Sequence, residues 1–379
     1  MEDYTKKLCE NLIKAGHKVT VITSSSKHGK TFENLNGVNI NYLDNKEPGS
    51  YKGGFFKKSY KTFKKLDKVE MFDIVHFQSS AAIGFLTKRI NIPMIITMHG
   101  TLKTETKLAK FYRKDGMLPL IFNTIKMYKR LIIHFLTLLT FIKSSYIIIP
   151  SEFSKNTFKM YVENKKLKVI YHGIENYTYS DEKQVAAKEK LGLKNKKVIL
   201  CLSRIVEEKG IQTALDAFKK MQNLEESQEY VLVIAGDGPY KTQLERKVEI
   251  DKIQNVFFVG FISEKEKDQY YCAADLYINP ELTIPAFGLV SIEAMARGTS
   301  VIATNHGATK EIIKDNNFLF TPGDSNDLED KIIKFFNKPI EERTIINERF
   351  LKSQNERFTI KNMINQTLSL YKNAIKEKL

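Results

Sequence analysis

Short apolar runs recur along the whole chain, and each is followed by a segment with the character of a helix. The runs are rich in Ile, Val and aromatic residues, which is typical of strands buried on both faces of a parallel sheet. The pattern therefore predicts an α/β fold in which helices connect parallel strands. The predicted strands are residues 19–23, 72–77, 93–97, 146–149, 167–171, 198–202, 230–234, 256–259, 276–278, 300–303 and 318–320.

A polar stretch at residues 175–183 follows one predicted strand and precedes a new helix. It predicts a boundary between two doubly wound, Rossmann-like domains, residues 1–175 and 176–379. Residues 360–379 have the spacing of an amphipathic helix, which either caps its own domain or crosses back to the first. The chain opens in a helix that ends at Gly16. The strand that usually opens a doubly wound domain is thus missing from the predicted elements.

Charge distinguishes the two predicted domains. The 379 residues include 60 Lys and Arg against 44 Asp and Glu, a formal net charge of +16. Residues 1–175 hold 30 basic and 14 acidic residues and the rest holds 30 of each, so the first domain carries the whole excess. Nucleic acid, an acidic membrane surface and an anionic substrate all fit such a domain. The three cysteines show no disulfide or metal-ligand spacing, which favours a reducing, cytoplasmic setting.

The densest part of this charge lies in residues 103–143, which hold nine Lys and Arg and two acidic residues. The same segment contains an apolar run at residues 131–142, which is too short to span a bilayer. One interpretation is a segment that lies on an anionic membrane, with basic residues beside an apolar helix. The other is a buried core helix whose flanking charges are solvated.

One motif in the second domain begins at Phe287 and runs through Gly288, Leu289 and Val290 to Glu293. Gly288 lets backbone approach a ligand at a helix start, where free N–H groups and the helix dipole attract phosphate. Glu293 lies over one turn further on, in a position to accept hydrogen bonds from hydroxyl groups such as those of a ribose. The alternative is an ordinary buried helix for which Gly288 is only a cap.

Other candidate residues follow the predicted strands directly. Arg204 leaves the end of one strand, and Lys209 opens the next helix, so the two cations could neutralise a diphosphate. The alternative is a solvated run of surface charge, since acidic residues sit beside them. Further loops follow three other strands, at residues 235–239, 259–261 and 305–307. Because the carboxyl ends of parallel strands meet at one edge of a sheet, all these loops are predicted to line one rim.

Taken as a set, these motifs resemble those of the retaining glycosyltransferases of family 4. The set comprises Ser203-Arg204 with Lys209-Gly210, residues 236–239 and residues 287–298, and landmarks of the first domain match at residues 16–21, 98–100, 150–154 and 170–174. The resemblance covers nearly the whole chain. It implies the GT-B fold, in which two Rossmann-like domains face a cleft.

The resemblance also implies roles for individual residues. Arg204 and Lys209 would hold the donor diphosphate, with His99 facing the transferred sugar, and these three form the predicted catalytic set. Glu293 would bind the ribose and Phe261 would flank the base. The remaining predicted donor-binding residues are Gly236, Phe287, Gly288, Leu289 and Val290. Fixed cations and a helix start can stabilise a departing diphosphate, and no Asp-x-Asp motif is present, so neither a metal nor another cofactor is expected.

The chain departs from the family pattern in two places. The family usually has a second Glu eight positions before Glu293, but Pro285 stands there and offers neither a carboxylate nor an N–H. Glu281 is a candidate substitute, provided that its loop turns it inward. The second departure is the opening strand and Gly-rich loop, which family members place before a position like Met1-Glu2; the sequence accordingly predicts an N-terminally truncated first domain.

The leading functional hypothesis is a retaining glycosyltransferase that moves a hexose-type sugar from a nucleotide sugar to a saccharide or lipid-linked acceptor in polysaccharide or glycolipid synthesis. It would work in the cytoplasm, on the inner face of the membrane, with residues 103–143 against anionic lipid. The alternative is a catalytically impaired relative that binds nucleotide sugar without transferring it. Nucleic-acid binding through the basic half is a remote third hypothesis, because no recognised nucleic-acid motif accompanies the charge.

Overall fold

The computed structural model of the protein describes residues 2–26, 28–44, 53–100, 131–225 and 227–378. The chain forms two compact units, Met1–His172 with Ile360–Leu379, and Gly173–Thr359. The chain passes from the first unit to the second after His172, three residues before the predicted boundary at 175. The C-terminal helix groups with the first unit, which is one of the two alternatives that its sequence allowed.

The first unit has seven strands in two separate sheets, ordered β1-β3-β2 and β4-β5-β6-β7. The strands are β1 Thr20–Thr23, β2 Phe32–Leu35, β3 Val38–Tyr42, β4 Val75–Gln78, β5 Met94–Thr97, β6 Tyr146–Ile149 and β7 Leu167–Val169. All pairs are parallel except β2 with β3. The predicted Rossmann-like arrangement of parallel strands and helices is present, with its strands in two sheets, because β1 pairs only with β3 and β4 only with β5 among the described residues.

The sequence prediction missed the hairpin of β2 and β3. Its two-residue turn is Asn36-Gly37, with φ of 51° and 84°, and Leu35 pairs with Val38 across it. Asn-Gly is the strongest short-range signal for such a turn, because both positions require a positive φ. β2 is mostly exposed to solvent, with Phe32 54% exposed. Its sequence therefore lacks the apolar run by which the other strands are predicted.

Helices cover both faces of the strands in the first unit. On one face, Tyr4, Leu8 and Leu12 of the first helix pack with Met363 and other residues of the last helix. On the other face, Phe63, Phe77, Phe85 and Phe141 form a second cluster, against which Ile22 of β1 also packs. The helices are Glu2–Lys14, Phe55–Glu70, Glu152–Phe158 and Ile360–Lys376, with residues 131–143 also helical and a 3-10 helix at Ser79–Phe85.

The second unit contains one parallel sheet of six strands, ordered β10-β9-β8-β11-β12-β13. The strands are β8 Lys197–Leu202, β9 Tyr230–Ala235, β10 Val256–Gly260, β11 Leu276–Asn279, β12 Ser300–Thr304 and β13 Leu319–Phe320. Counted within this unit, the order is 3-2-1-4-5-6, which is that of dinucleotide-binding doubly wound folds. β9, β11 and β12 are buried along their whole lengths, as the continuous apolar runs predict.

Eight α-helices surround this sheet in the described part of the second unit: Asp181–Lys190, Ile211–Met221, Lys241–Ile250, Glu264–Ala273, Leu289–Ala296, Thr309–Ile312, Ser325–Phe336 and Ile340–Arg357. Across the described residues of both units, no helix is long and apolar enough to cross a membrane.

Candidate functional site

The strand order of the second unit reverses between β8 and β11, which pair in parallel. Doubly wound folds bind ligands outside the carboxyl ends of the strands at such a point. Backbone hydrogen bonds join the loops that follow neighbouring strands: Leu282 N–H to Glu208 O (2.8 Å), Ile205 N–H to Asp237 O (2.9 Å), Gly236 N–H to Gly260 O (2.7 Å) and Ala308 N–H to Pro285 O (3.1 Å). The loops predicted to share a rim therefore form one continuous hydrogen-bonded surface.

Two glycines allow these loops to approach each other. A Cβ on Gly210 would lie 1.9 Å from the carbonyl oxygen of Pro280, and one on Gly236 would lie 1.9 Å from that of Ser203. Both residues also have positive φ, 69° and 130°. Only glycine fits where backbone meets backbone in this conformation, so the shape of the rim depends on both positions.

Arg204 and Lys209 follow β8 at this rim but differ in their surroundings. The Arg204 side chain is exposed, and it makes no ion pair or side-chain hydrogen bond within the described residues. The Lys209 Nζ atom lies 2.8 Å from Glu281 Oε1, with 25% of the Lys209 side chain exposed. Arg204 thus presents its charge to solvent, whereas Lys209 is held against a carboxylate.

Glu281 does turn inward, in the loop that follows β11. Only 9% of the residue is exposed, and the Thr283 hydroxyl donates a hydrogen bond to its Oε1 atom at 3.0 Å. The Thr304 hydroxyl, at the end of β12, donates to the Glu281 carbonyl at 3.0 Å. Pro285, by contrast, is buried against Gly307. The carboxylate on this loop therefore sits beside the predicted phosphate-binding lysine.

Replacing Glu281 with Gln is expected to raise the affinity for inorganic pyrophosphate by about threefold to tenfold. The variant removes a negative charge beside Lys209, where a part-buried charge contact contributes on the order of 1 kcal/mol. Isothermal titration calorimetry with pyrophosphate measures the change without requiring knowledge of the donor base. Glu207→Gln is the matched control, because it removes the same charge from an exposed position of the neighbouring loop. A fall in affinity on Glu281→Gln would mean that the carboxylate instead holds Lys209 in its binding position.

The helix Leu289–Ala296 begins at the rim with Gly288 as its N-cap, at φ 111°. Leu289 is 38% exposed, and Val290 is half-buried beside it. The first N–H groups of a helix have no partner within it, so this end is suited to an anion. The side chain of Phe287 lies elsewhere, because it is 5% exposed and its ring packs 5.9 Å from that of Phe358. That ring belongs to the core.

Glu293 lies on the same helix, held by two side chains that the sequence prediction missed. The Tyr271 hydroxyl donates a hydrogen bond to Glu293 Oε2 at 3.1 Å, and Lys267 Nζ lies 3.6 Å from the same oxygen. Burial raises the pKa of Tyr271 well above its usual value, which keeps the phenol protonated as a donor. For Lys267, burial lowers the pKa but the Glu293 and Glu264 carboxylates raise it more, so the ammonium persists.

Replacing Tyr271 with Phe is expected to weaken nucleoside diphosphate binding by about threefold to tenfold, the loss of one positioning hydrogen bond. Pyrophosphate, which has no ribose, should bind as before. Fluorescence competition with UDP, GDP and ADP measures the first affinity, and calorimetry the second. Tyr277→Phe is the control, since it removes an equally buried hydroxyl that donates to Leu202 O at 3.1 Å and does not contact Glu293. Equal losses in both variants would show that Tyr271 acts only through stability.

Phe261 and Gly236 occupy the β9–β10 side of the rim. Phe261 follows β10 and is 81% exposed. Gly236 follows β9 and bonds to Gly260. An exposed ring at this edge is available to stack against a flat ligand, and its contact with the donor base stays a prediction.

His99 lies in the first unit, directly after β5. Its Nε2 atom is 2.7 Å from Gln78 Oε1 at the end of β4, which fixes Nε2 as the protonated nitrogen. The ring contacts Tyr4 and His172 at centroid distances of 5.0 and 5.3 Å. Burial lowers the pKa of His99 to about 4, so the imidazole is neutral at pH 7 and suited to hydrogen bonding. The other predicted residues lie at the rim of the second unit, except for the ring of Phe287, which belongs to the core, and His99 lies in the first unit.

Both halves of the chain match known protein families. The model of "Glycosyltransferase Family 4" matches residues 1–176, and that of "Glycosyl transferases group 1" matches residues 183–352. Alpha-monoglucosyldiacylglycerol synthase of Streptococcus pneumoniae is 32% identical over 321 residues, which are 81% of this chain and 68% of the relative. The chain belongs to glycosyltransferase family 4. The predicted family and its GT-B fold are therefore confirmed, and the protein is a glycosyltransferase.

Other proteins resemble this chain more distantly. Lipopolysaccharide 1,2-N-acetylglucosaminetransferase of Salmonella typhimurium is 30% identical over 45% of this chain and 46% of its own. Sucrose-phosphate synthase from Thermosynechococcus elongatus has a TM-score of 0.79 at 21% identity, covering 99% of this chain and 93% of its own. Anabaena Alr3699/HepE, solved in complex with UDP and glucose, has a TM-score of 0.75 at 19% identity, covering 98% and 96%. These two structures establish the shared fold.

Proposed function

We propose that this glycosyltransferase moves a hexose-type sugar, with retention of configuration and without a metal, from a nucleotide sugar to a saccharide or lipid-linked acceptor. The observation that carries the proposal is the rim at the β8–β11 switch point. It combines an Arg204 guanidinium, which forms no ion pair with any residue the structure describes, with Lys209 and a helix start at Gly288. A held carboxylate, Glu293, lies one turn into that helix. These features match the parts of a nucleotide sugar in chemistry: diphosphate, ribose hydroxyls and base.

Each residue has a proposed role in the transfer. Arg204, Lys209 and the helix start bind the diphosphate and stabilise the charge that develops as it departs. The bond between the sugar C1 and the phosphate oxygen breaks, and its electron pair stays on that oxygen. The acceptor hydroxyl attacks C1 on the same face, and its proton passes to the departing phosphate. Glu293 and Phe261 hold the nucleoside, and His99 is proposed to contact the sugar through its neutral imidazole.

A binding screen and a product analysis test this proposal. Thermal shifts with UDP-, GDP- and ADP-sugars identify the base, because a ligand at 100 times its dissociation constant stabilises the protein by ~2.7 kcal/mol. Transfer is then measured with and without EDTA, and the anomeric configuration of the product is read by NMR. Retention in the presence of EDTA is the expected result. An inverted product, or loss of activity with EDTA, contradicts the mechanism, and binding without turnover indicates the impaired relative.

A membrane location is part of the proposal, supported by the helical residues 131–143. Leu131, Ile132 and Phe135 are 44%, 57% and 60% exposed, whereas Thr137 and Phe141 of the same helix are buried. Neither interpretation of the apolar run holds for the whole helix, since one part is core and another is solvent-exposed. The basic residues 103–130 of the predicted membrane segment lie outside the described residues. A peripheral position on the cytoplasmic face would bring a lipid-linked acceptor to the enzyme, and the pneumococcal relative is named for a diacylglycerol glycolipid.

A further inference from the structure

A basic surface lies among the described residues of the first unit. Within the helix Phe55–Glu70, four lysines recur at intervals of four, three and four residues, which places them on one helix face. With two further lysines they line an open groove of about 700 Å³, named here the lysine groove. Its six lysines are Lys57, Lys61, Lys64, Lys65, Lys68 and Lys88, all exposed.

The charges of the lysine groove are not neutralised by ion pairs within the described part of the chain. The two acidic residues of the helix have other partners, since Asp67 accepts a hydrogen bond from Phe72 N–H at 3.1 Å and Glu70 from the Thr20 hydroxyl at 2.6 Å. Like charges three and four residues apart destabilise a helix. Repulsion among the lysines of the groove therefore slightly lowers the stability of this helix, and an external anion would relieve that repulsion.

The bottom of the lysine groove is apolar. Phe56, Tyr60 and Ile83 line it, and Lys88 Nζ lies 5.4 Å above the Tyr60 ring. Cations around an apolar floor match a ligand that carries phosphate beside hydrocarbon. Duplex DNA stacks its bases inside the helix and presents mainly phosphate and sugar, so it would leave this floor uncovered.

The lysine groove is continuous with the helix that carries exposed apolar residues. Lys143 Nζ, at the end of that helix, donates to Lys88 O at 3.2 Å. The Thr137 hydroxyl donates to Ser80 Oγ at 3.1 Å, in the 3-10 helix Ser79–Phe85 that supplies Ile83. The lysine groove and the exposed apolar residues thus lie on neighbouring, hydrogen-bonded elements of one unit.

We propose that the lysine groove docks this protein onto bilayers of anionic phospholipid by binding headgroup phosphates. This proposal rests on the membrane location in the proposed function, which gives the docking its biological role. Vesicle binding itself can be measured without a sugar donor and without turnover. An anionic surface contributes about fivefold in affinity per nearby lysine at moderate ionic strength, and the contribution decreases as salt screens it.

The test compares phosphatidylcholine vesicles with and without phosphatidylglycerol in a flotation assay. A variant with Lys57→Gln, Lys61→Gln, Lys64→Gln and Lys68→Gln is expected to lose at least about tenfold in affinity for the anionic vesicles. The control removes four exposed lysines from the second unit, Lys190, Lys265, Lys314 and Lys352, and should bind within about twofold of the native protein. Equal losses in both variants would reduce the effect to net charge and overturn the proposal, as would unchanged binding of the first.

A second measurement does not depend on the folding of the quadruple variant. The chain contains no tryptophan, so Tyr60→Trp places a single indole in the floor of the lysine groove. Its emission should shift to shorter wavelength with anionic vesicles and stay unchanged with neutral ones. Displacement of the vesicles by duplex DNA at equal phosphate concentration would identify a general polyanion site and overturn the lipid assignment. Vesicle binding without sugar transfer would contradict only the proposed transfer. Transfer without vesicle binding would contradict this inference and the membrane location, and would leave the proposed transfer intact.

Discussion

Replacing Arg204 with Ala is expected to reduce the affinity for pyrophosphate and for the nucleotide donor by about 30- to 100-fold. The Arg204 side chain follows the end of β8, is exposed, and has no side-chain partner among the described residues. Phosphate can therefore bind to the guanidinium without breaking a side-chain contact within that part of the chain. A charge-assisted hydrogen bond contributes about 1.5–3 kcal/mol, and Arg can make two such bonds to one phosphate. Calorimetric titration with pyrophosphate and with the donor chosen by the thermal-shift screen measures both affinities.

Arg246→Ala is the matched control for this variant. Arg246 is an exposed arginine on the helix Lys241–Ile250 of the same unit, so its loss changes the net charge equally. Donor affinity should remain within about twofold. Arg204→Lys separates charge from geometry, since it keeps the cation but loses the fork that binds two oxygens. If Arg204→Ala bound pyrophosphate with native affinity, the predicted diphosphate site at this part of the rim would be wrong.

Replacing Gly210 with Ala is expected to destabilise the second unit by about 2–4 kcal/mol and to reduce pyrophosphate binding with it. Alanine at φ 69° is strained by ~1 kcal/mol, and its Cβ would lie 1.9 Å from the Pro280 carbonyl oxygen. Relieving that overlap requires the β8 and β11 loops to separate, at a further cost of about 1–3 kcal/mol. Lys209 would then move away from Glu281.

Gly192→Ala supplies the control for the backbone strain alone. Gly192 has φ 70°, and no atom lies within 4 Å of the position that its Cβ would take. This variant should lose ~1 kcal/mol and bind pyrophosphate as the native protein does. Chemical denaturation monitored by circular dichroism compares the three proteins. Equal losses at Gly192 and Gly210 would show that the two loops separate without cost, and that the close approach does not shape the site.

Much of the fold follows from local sequence. All eleven predicted strands are present, because burial on both faces leaves an uninterrupted apolar run such as Tyr230–Ala235. The predicted helix end at Gly16 also agrees, with φ 86° and a hydrogen bond from Gly16 N–H to Ile13 O at 2.9 Å. The exposed hairpin at Asn36-Gly37 was missed, because an exposed strand needs no apolar run.

For the candidate site, too, the sequence predicts one part and leaves another open. Sequence places Arg204, Gly236 and Phe261 on one rim, because parallel strands all end at the same edge of their sheet. It leaves open the direction of each side chain. Phe287 turns into the core against Phe358, and Glu281 turns toward Lys209. These directions depend on the path of each loop over its neighbours, which no local spacing records.

By itself, the sequence determined the α/β class, the family and the edge of the sheet where a donor is expected, since each depends on periodicity and on motifs read within short stretches. The tertiary structure alone decided which distant side chains meet, as with Tyr271 and Glu293. It also placed the last helix with the first unit and divided that unit's strands into two sheets. The physical reason is that packing and strand pairing join residues far apart in the chain, and their free energy depends on the surface that the rest of the fold presents.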